Sequence, residues 1–191
     1  MNLGRTVGIG RDMRRLCNEL VGGLALPVPA PPRELYRALC EEMSLRRGRP
    51  VHFRTAPFPS GTASGLWLDL TDRDIVVVEE RTAPGHQLVI LGHELWHMQA
   101  DHRGHHVGGM GVATRLLDDD TDRTALQAAV QRVAARTRFE LADERQAETF
   151  GLLLASKCRT WLDGSALRGP VQRDDVAGRI EASLGYPGPQ G

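Results

Sequence analysis

The sequence predicts an α+β domain: a small sheet, three-stranded or larger, packed on a helix that carries chemistry, with additional helices around the pair. Three observations lead there. The run His93-Glu94-Leu95-Trp96-His97 sits in a helical stretch at residues 89–101, three short β-like runs lie between residues 51 and 79, and apolar stripes of helical period flank them on both sides.

In chain order, residues 1–10 are glycine-rich and expected to be disordered. A first helix over 11–24 follows from Met13, Leu16, Cys17, Leu20 and Leu24 at helical spacing. The proline-rich run 27–32 stops it, because proline lacks an N–H and cannot continue the ladder. A second helix over 33–47 turns Leu35, Leu39, Cys40 and Met43 inward. Strands are expected at 51–55, bounded by Pro50 and Pro57, at 65–70, where Leu66, Leu68 and Leu70 alternate with Trp67 and Asp69, and at 75–79, a near-continuous valine run. The four residues 71–74 are short enough to join the last two as a hairpin. An edge strand of such a sheet can pair with an extended peptide backbone.

Positions four apart share one face of a helix, so His93 and His97 can offer two imidazole nitrogens to a single metal ion. Glu94, one step round, can reach a water on that ion and serve as its base. Leu88, Leu91, Leu95 and Met98 gather roughly opposite. Only three positions of the motif are fixed, so an amphipathic helix with two histidines on its polar face is the competing explanation, and a third ligand decides between them.

Three of the seven histidines lie in the expected loop 102–111. His102 points away from the His93/His97 face if the helix persists. His105 and His106 are candidates for the mouth of the cleft, contacting substrate or an oxyanion, or simply solvated. A metzincin would need glycine at 100 and histidine at 103, where this chain has Ala100 and Arg103. The acids of 118–122 lack the spacing, glycine and distal glutamate of an EF-hand and read as a loop that caps a helix over 124–136. A long helix over 141–162 then brings Glu144 and Glu148 to one face, beside the small residues Ala147 and Gly151, which let another helix come close. One of the two carboxylates is a candidate third ligand and the other a partner behind it. Residues 163–191 form an extension with a possible short helix and a Gly/Pro-rich end.

Composition narrows the function. The 191 residues suit one domain, and 24 basic against 24 acidic side chains leave no net charge, which argues against direct nucleic-acid binding. The three cysteines, Cys17, Cys40 and Cys158, are widely spaced and read as buried free thiols rather than a disulfide framework. No apolar run nears the roughly 20 residues of a bilayer span, and the first ten residues lack the apolar core of a signal peptide, so no membrane association and a cytoplasmic location are expected.

The motif His93-Glu94-x-x-His97, followed by Glu144, Ala147, Phe150, Gly151 and Leu153-Leu154, resembles the ImmA/IrrE family of zinc metallopeptidases, over residues 11–162. Gly65-Leu66-Trp67 and the valine-rich strand are similar to that family too. The resemblance implies a zincin-like fold, a gluzincin-like domain at 11–162 and a Zn2+ cofactor held by His93, His97 and Glu144. It implies that Glu148, where the family more often has Asn or Asp, orients a ligand histidine. Trp96 stands where the family commonly has glycine, and Ala155-Ser156 where it has proline. The short, toxin-like or regulatory members of the family imply a protein substrate or cognate helix-turn-helix regulator, such as a repressor or antitoxin. The expectation is therefore a zinc-dependent endopeptidase; the other class is a zinc-stabilised interaction module of a toxin–antitoxin-like pair, without turnover.

Overall fold

The computed structural model describes residues 3–60, 63–70, 72–100 and 141–162. These form four helices and a three-stranded mixed sheet: α1 (Leu3–Gly22), α2 (Pro32–Arg47), β1 (Val51–Ala56), β2 (Gly65–Asp69), β3 (Asp74–Glu79), α3 (Pro84–Ala100) and α4 (Leu141–Lys157). The α+β class holds. The loop 102–111 with His102, His105 and His106, the acids of 118–122, the expected helix 124–136 and the extension 163–191 lie outside the described residues.

The helix α1 begins at Leu3 rather than Arg11, so the glycine-rich start is helical, not disordered, from Leu3 on. Gly8 and Gly10 each cost about 1 kcal/mol of helix propensity relative to alanine. Ile9, however, carries the apolar stripe one turn further and packs on the core, and tertiary contact outweighs local preference. Met13, Leu16, Cys17 and Leu20 are buried as expected. Pro32 opens α2 where a missing N–H costs nothing. Gly48 closes it at φ 68, a left-handed conformation glycine adopts without strain, and donates its N–H to Ser44 O at 2.9 Å. Tyr36, buried beside Leu35 and Leu39, donates its hydroxyl proton to Pro84 O at 2.6 Å and so fastens α2 to the first turn of α3. All three cysteines are buried free thiols.

The strand order is β1-β3-β2. The strand β3 lies between a parallel neighbour, Val51↔Asp74 through Ala56↔Glu79, and an antiparallel one, Gly65↔Val78 through Asp69↔Asp74. A central strand covered on both faces has no polar side to show, which explains the uninterrupted Ile75-Val76-Val77-Val78 run. One face of the sheet, with Val51, Phe53, Trp67, Val76 and Val78, joins the main core under the helices. The other, with Ala56, Leu66, Leu68, Ile75 and Val77, forms a smaller buried cluster with Phe58.

Asp74, the first residue of β3, is fully buried and accepts four N–H bonds: Arg47 Nε at 2.7 Å, Arg49 Nε at 2.8 Å, Arg49 Nη2 at 2.7 Å and the Trp67 indole at 2.8 Å. Asp69 sits opposite it across the hairpin, a like-charge pair that Arg49 neutralises by bonding both. Arg47 also donates to Met98 O at 3.2 Å, so the network reaches the last turn of the motif helix. Removing one partner of a buried pair costs more than the pair contributes, because the other charge stays desolvated. Asp74→Ala is expected to lose about 3–5 kcal/mol in urea denaturation, and Asp74→Asn, which keeps an acceptor oxygen, to lose less; a surface-like loss near zero for Asp74→Ala would contradict this role.

Candidate metal centre

The helix α3 runs beneath α4 with its apolar side on the sheet and its motif side on α4. Leu88, Leu91, Leu95 and Met98 are buried, as their spacing predicts. The opposite side is buried as well: Glu94 is 3% exposed and His97 0%. This second face carries the candidate site, and α4 packs beside it with the His93 and Glu144 side chains still partly exposed. Trp96 is buried against Phe150 of α4, ring centroids 5.3 Å apart.

Their packing brings three side chains together. His93 Nε2 and His97 Nε2 lie 3.0 Å apart, Glu144 Oε2 lies 3.5 Å from His93 Nε2, and Glu144 Oε1 lies 3.2 Å from His97 Nε2. Zinc–nitrogen and zinc–oxygen bonds of about 2.0–2.2 Å in a tetrahedron put neighbouring ligand atoms about 3.3–3.6 Å apart. Each separation in this triangle of side chains is within a few tenths of an ångström of that spacing, with a different Glu144 oxygen nearest each imidazole. Glu144 Oε1 is buried and has no hydrogen-bond partner although an imidazole nitrogen is 3.2 Å away. Among the described residues, this is the one His/Cys/Asp/Glu group able to hold a metal ion.

Glu94 stands beside this triangle, not in it. Its carboxylate accepts the backbone N–H of Trp67 on β2, and its Oε2 is buried without a partner. In the β2–β3 pairing Leu66 and Leu68 face β3, so the backbone groups of Gly65 and Trp67 point to the outer side of β2, where the carboxylate sits. Gly65 makes room for it: a Cβ there would lie 2.6 Å from Glu94 Oε1 and 2.6 Å from Ile90 Cγ2. Burial, reinforced by the charge of Glu144 and opposed by the Trp67 N–H, pushes the Glu94 carboxyl up to about 8. Burial, with His97 adding and Glu144 opposing, pushes the His93 imidazole down to about 4. A neutral His93 keeps its lone pair for a metal at neutral pH.

Glu148 lies one turn beyond Glu144 and is partly buried; among the described residues no hydrogen bond or ion pair joins it to either imidazole. His105 and His106 lie outside the described residues. Sequence reasoning did not find the Trp67 amide, the Gly65 seat or Gly92. Gly92 alone carried a signal, a glycine interrupting an apolar helix next to a candidate ligand. No protein-family model, curated protein or solved structure matches this chain, so the site speaks through its own geometry.

The two shifts oppose each other in the metal-free chain. The raised Glu94 pKa makes the folded state hold a proton that the unfolded chain has released above 4.5, so its stability contribution is lost as pH rises toward 8. The depressed His93 pKa takes stability away as pH falls from 6.5 toward 4. The two slopes cancel between 4.5 and 6.5, and Glu94 acts alone above that. Chelated protein is expected to lose on the order of 1–2 kcal/mol between pH 6.5 and 8 relative to Glu94→Gln, and zinc, whose charge favours the carboxylate, to remove that loss. Parallel urea midpoints for native and variant protein across this window would count against it.

Proposed function

We propose that this chain is a zinc-dependent endopeptidase with a zincin-like, gluzincin-like metal site, acting on a specific protein. The observation that carries the reading is the unpartnered Glu94 Oε2, buried beside two imidazoles and a carboxylate that converge at zinc-ligand spacing. His93, His97 and Glu144 would hold the ion and leave one position for a water or a substrate oxygen. Zinc bound there supplies Lewis acidity, making water more acidic and polarising a peptide carbonyl.

The chain's own residues supply the proton transfers. Glu94 Oε2 takes a proton from the attacking water as its oxygen bonds the carbonyl carbon, and delivers it to the departing amine as the carbon–nitrogen bond breaks. The Trp67 N–H and the Gly65 backbone hold the carboxylate in one orientation, so little rotation has to be frozen when the reaction begins. The outer side of β2 lies beside that carboxylate, which suits an extended peptide. The ImmA/IrrE resemblance supports a helix-turn-helix repressor or antitoxin as the substrate.

The test separates turnover from binding. Glu94→Gln is expected to retain one zinc per chain and lose about 10²–10⁴-fold in hydrolysis of peptide-library substrates followed by mass spectrometry, whereas Glu144→Ala loses the zinc. A Glu94→Gln chain that keeps its full effect on a partner protein would instead make this a zinc-stabilised interaction module. A finer separation comes at the strand. A new methyl at Gly65 meets Ile90 Cγ2, which its β-branched side chain holds in place, and the flexible end of Glu94, which yields; Gly65→Ala is expected to slow hydrolysis by displacing Glu94 while zinc affinity stays within about twofold, and equal loss of both would show that the two functions share this support.

A further inference from the structure

We propose that Gly151 is a positioning residue that sets the reach of the third metal ligand, by placing the backbone of α4 directly on the turn of α3 that carries His93. The proposal rests on the metal-centre reading above. A Cβ at Gly151 would lie 2.5 Å from Val89 O and 3.3 Å from His93 N. In an α-helix these two atoms are the acceptor and donor of one hydrogen bond, four residues apart. The α carbon of Gly151 therefore rests on the bond that closes the His93 turn. The approach is mutual: a Cβ at Gly92 would lie 2.9 Å from the α carbon of Gly151.

Gly151 is seven residues beyond Glu144, two turns along the same face of α4, with the buried Ala147 between them. The height of α4 over α3 at this crossing is thus carried to the Glu144 carboxylate. Metal sites tolerate errors of about 0.2 Å in ligand distance. An alanine methyl at 151 meets backbone, which cannot rotate aside, and it needs about 1 Å of extra separation to reach ordinary van der Waals contact. The Trp96–Phe150 stack, beside the crossing, holds the helices in register, so α4 tilts rather than leaves. Independent of the glycines, the buried unpartnered oxygens of Glu144 and Glu94 point to a ligand at the end of this lever.

The experiment titrates metal-free native, Gly151→Ala, Gly92→Ala and Leu154→Ala chains with Zn2+ against a chromophoric chelator, and records the visible absorption of Co2+ in each. Leu154 packs at the same crossing, its Cδ2 3.2 Å from the position of a Gly92 Cβ, and its truncation loosens the core without separating the backbones. Gly151→Ala is expected to bind zinc about 10- to 100-fold more weakly and to lose the intense tetrahedral Co2+ bands. Gly92→Ala, the gentler wedge, shifts both in the same direction by less, and Leu154→Ala stays near native in both. Native-like affinity and Co2+ bands in both glycine variants overturn the proposal, as does an equal loss in Leu154→Ala. A native chain that binds neither ion overturns the metal-centre reading itself, before any variant is compared.

Discussion

Two helix backbones approach only as far as their side chains allow, and where α3 crosses α4 there are none. Gly92 meets Gly151 there, and the α carbon of Gly151 reaches the carbonyl of Val89. Everything chemical follows from this contact, because the ligands are split between the two helices. His93 and His97 come from one and Glu144 from the other, more than forty residues away in the chain. A larger residue at the crossing would hold the helices at the 8–10 Å of ordinary packing, and the carboxylate would stand off from the imidazoles. Glycine inside a helix costs about 1 kcal/mol each time, a local loss that the apolar packing of Ala147, Phe150 and Leu154 against Leu91, Leu95 and Trp96 offsets.

The same closeness creates an electrostatic problem. Glu144 raises the cost of a charge on the buried Glu94, and burial holds the His93 imidazole neutral. Two acids stand close together, and one oxygen of each is left without a hydrogen-bond partner. The Asp74 network shows what this chain does when it buries an acid for structure alone. It surrounds Asp74 with two arginines and an indole N–H and leaves no lone pair idle. The contrast between Asp74 and Glu94 supports the proposal that the Glu94–Glu144 pocket takes a positive charge from outside the chain.

Much of this was legible in the residues, and what was not has identifiable causes. Helices and strands were readable because their signals are periodic: the stripe of α2, the leucine alternation of β2 and the valine run of β3 each report which sides are covered. The His93/His97 pair was readable because both ligands share one helix turn, so spacing alone fixes their geometry. Glu144 needed the resemblance, since nothing local distinguishes a ligand carboxylate from Glu148 one turn away. The helical start at Leu3 was hidden because glycines mask a stripe that Ile9 extends. The Trp67 amide was invisible in principle, as every residue but proline has one, and its importance comes from which side of β2 faces α3. The Trp96–Phe150 contact was hidden for a related reason: Phe150 lies on an element that sequence distance places far off.

The supports of the site divide along chemical lines. Coordination at the proposed zinc site would depend on a helix–helix distance, held by backbone against backbone, where a shift of a few tenths of an ångström is costly. Glu94, the proposed proton-transfer group, would depend on a helix–strand contact, held by one N–H bond and by the space above Gly65, where its own carboxylate is the flexible neighbour. Stiffness is thus greatest where the tolerance is least. A metal ion demands fixed distances from three directions at once, whereas a base must accept a proton at one moment and release it toward a different atom at the next. A carboxylate resting on a strand edge, with one oxygen bonded and the other unpartnered, is held in place and still has a lone pair for the proposed exchange.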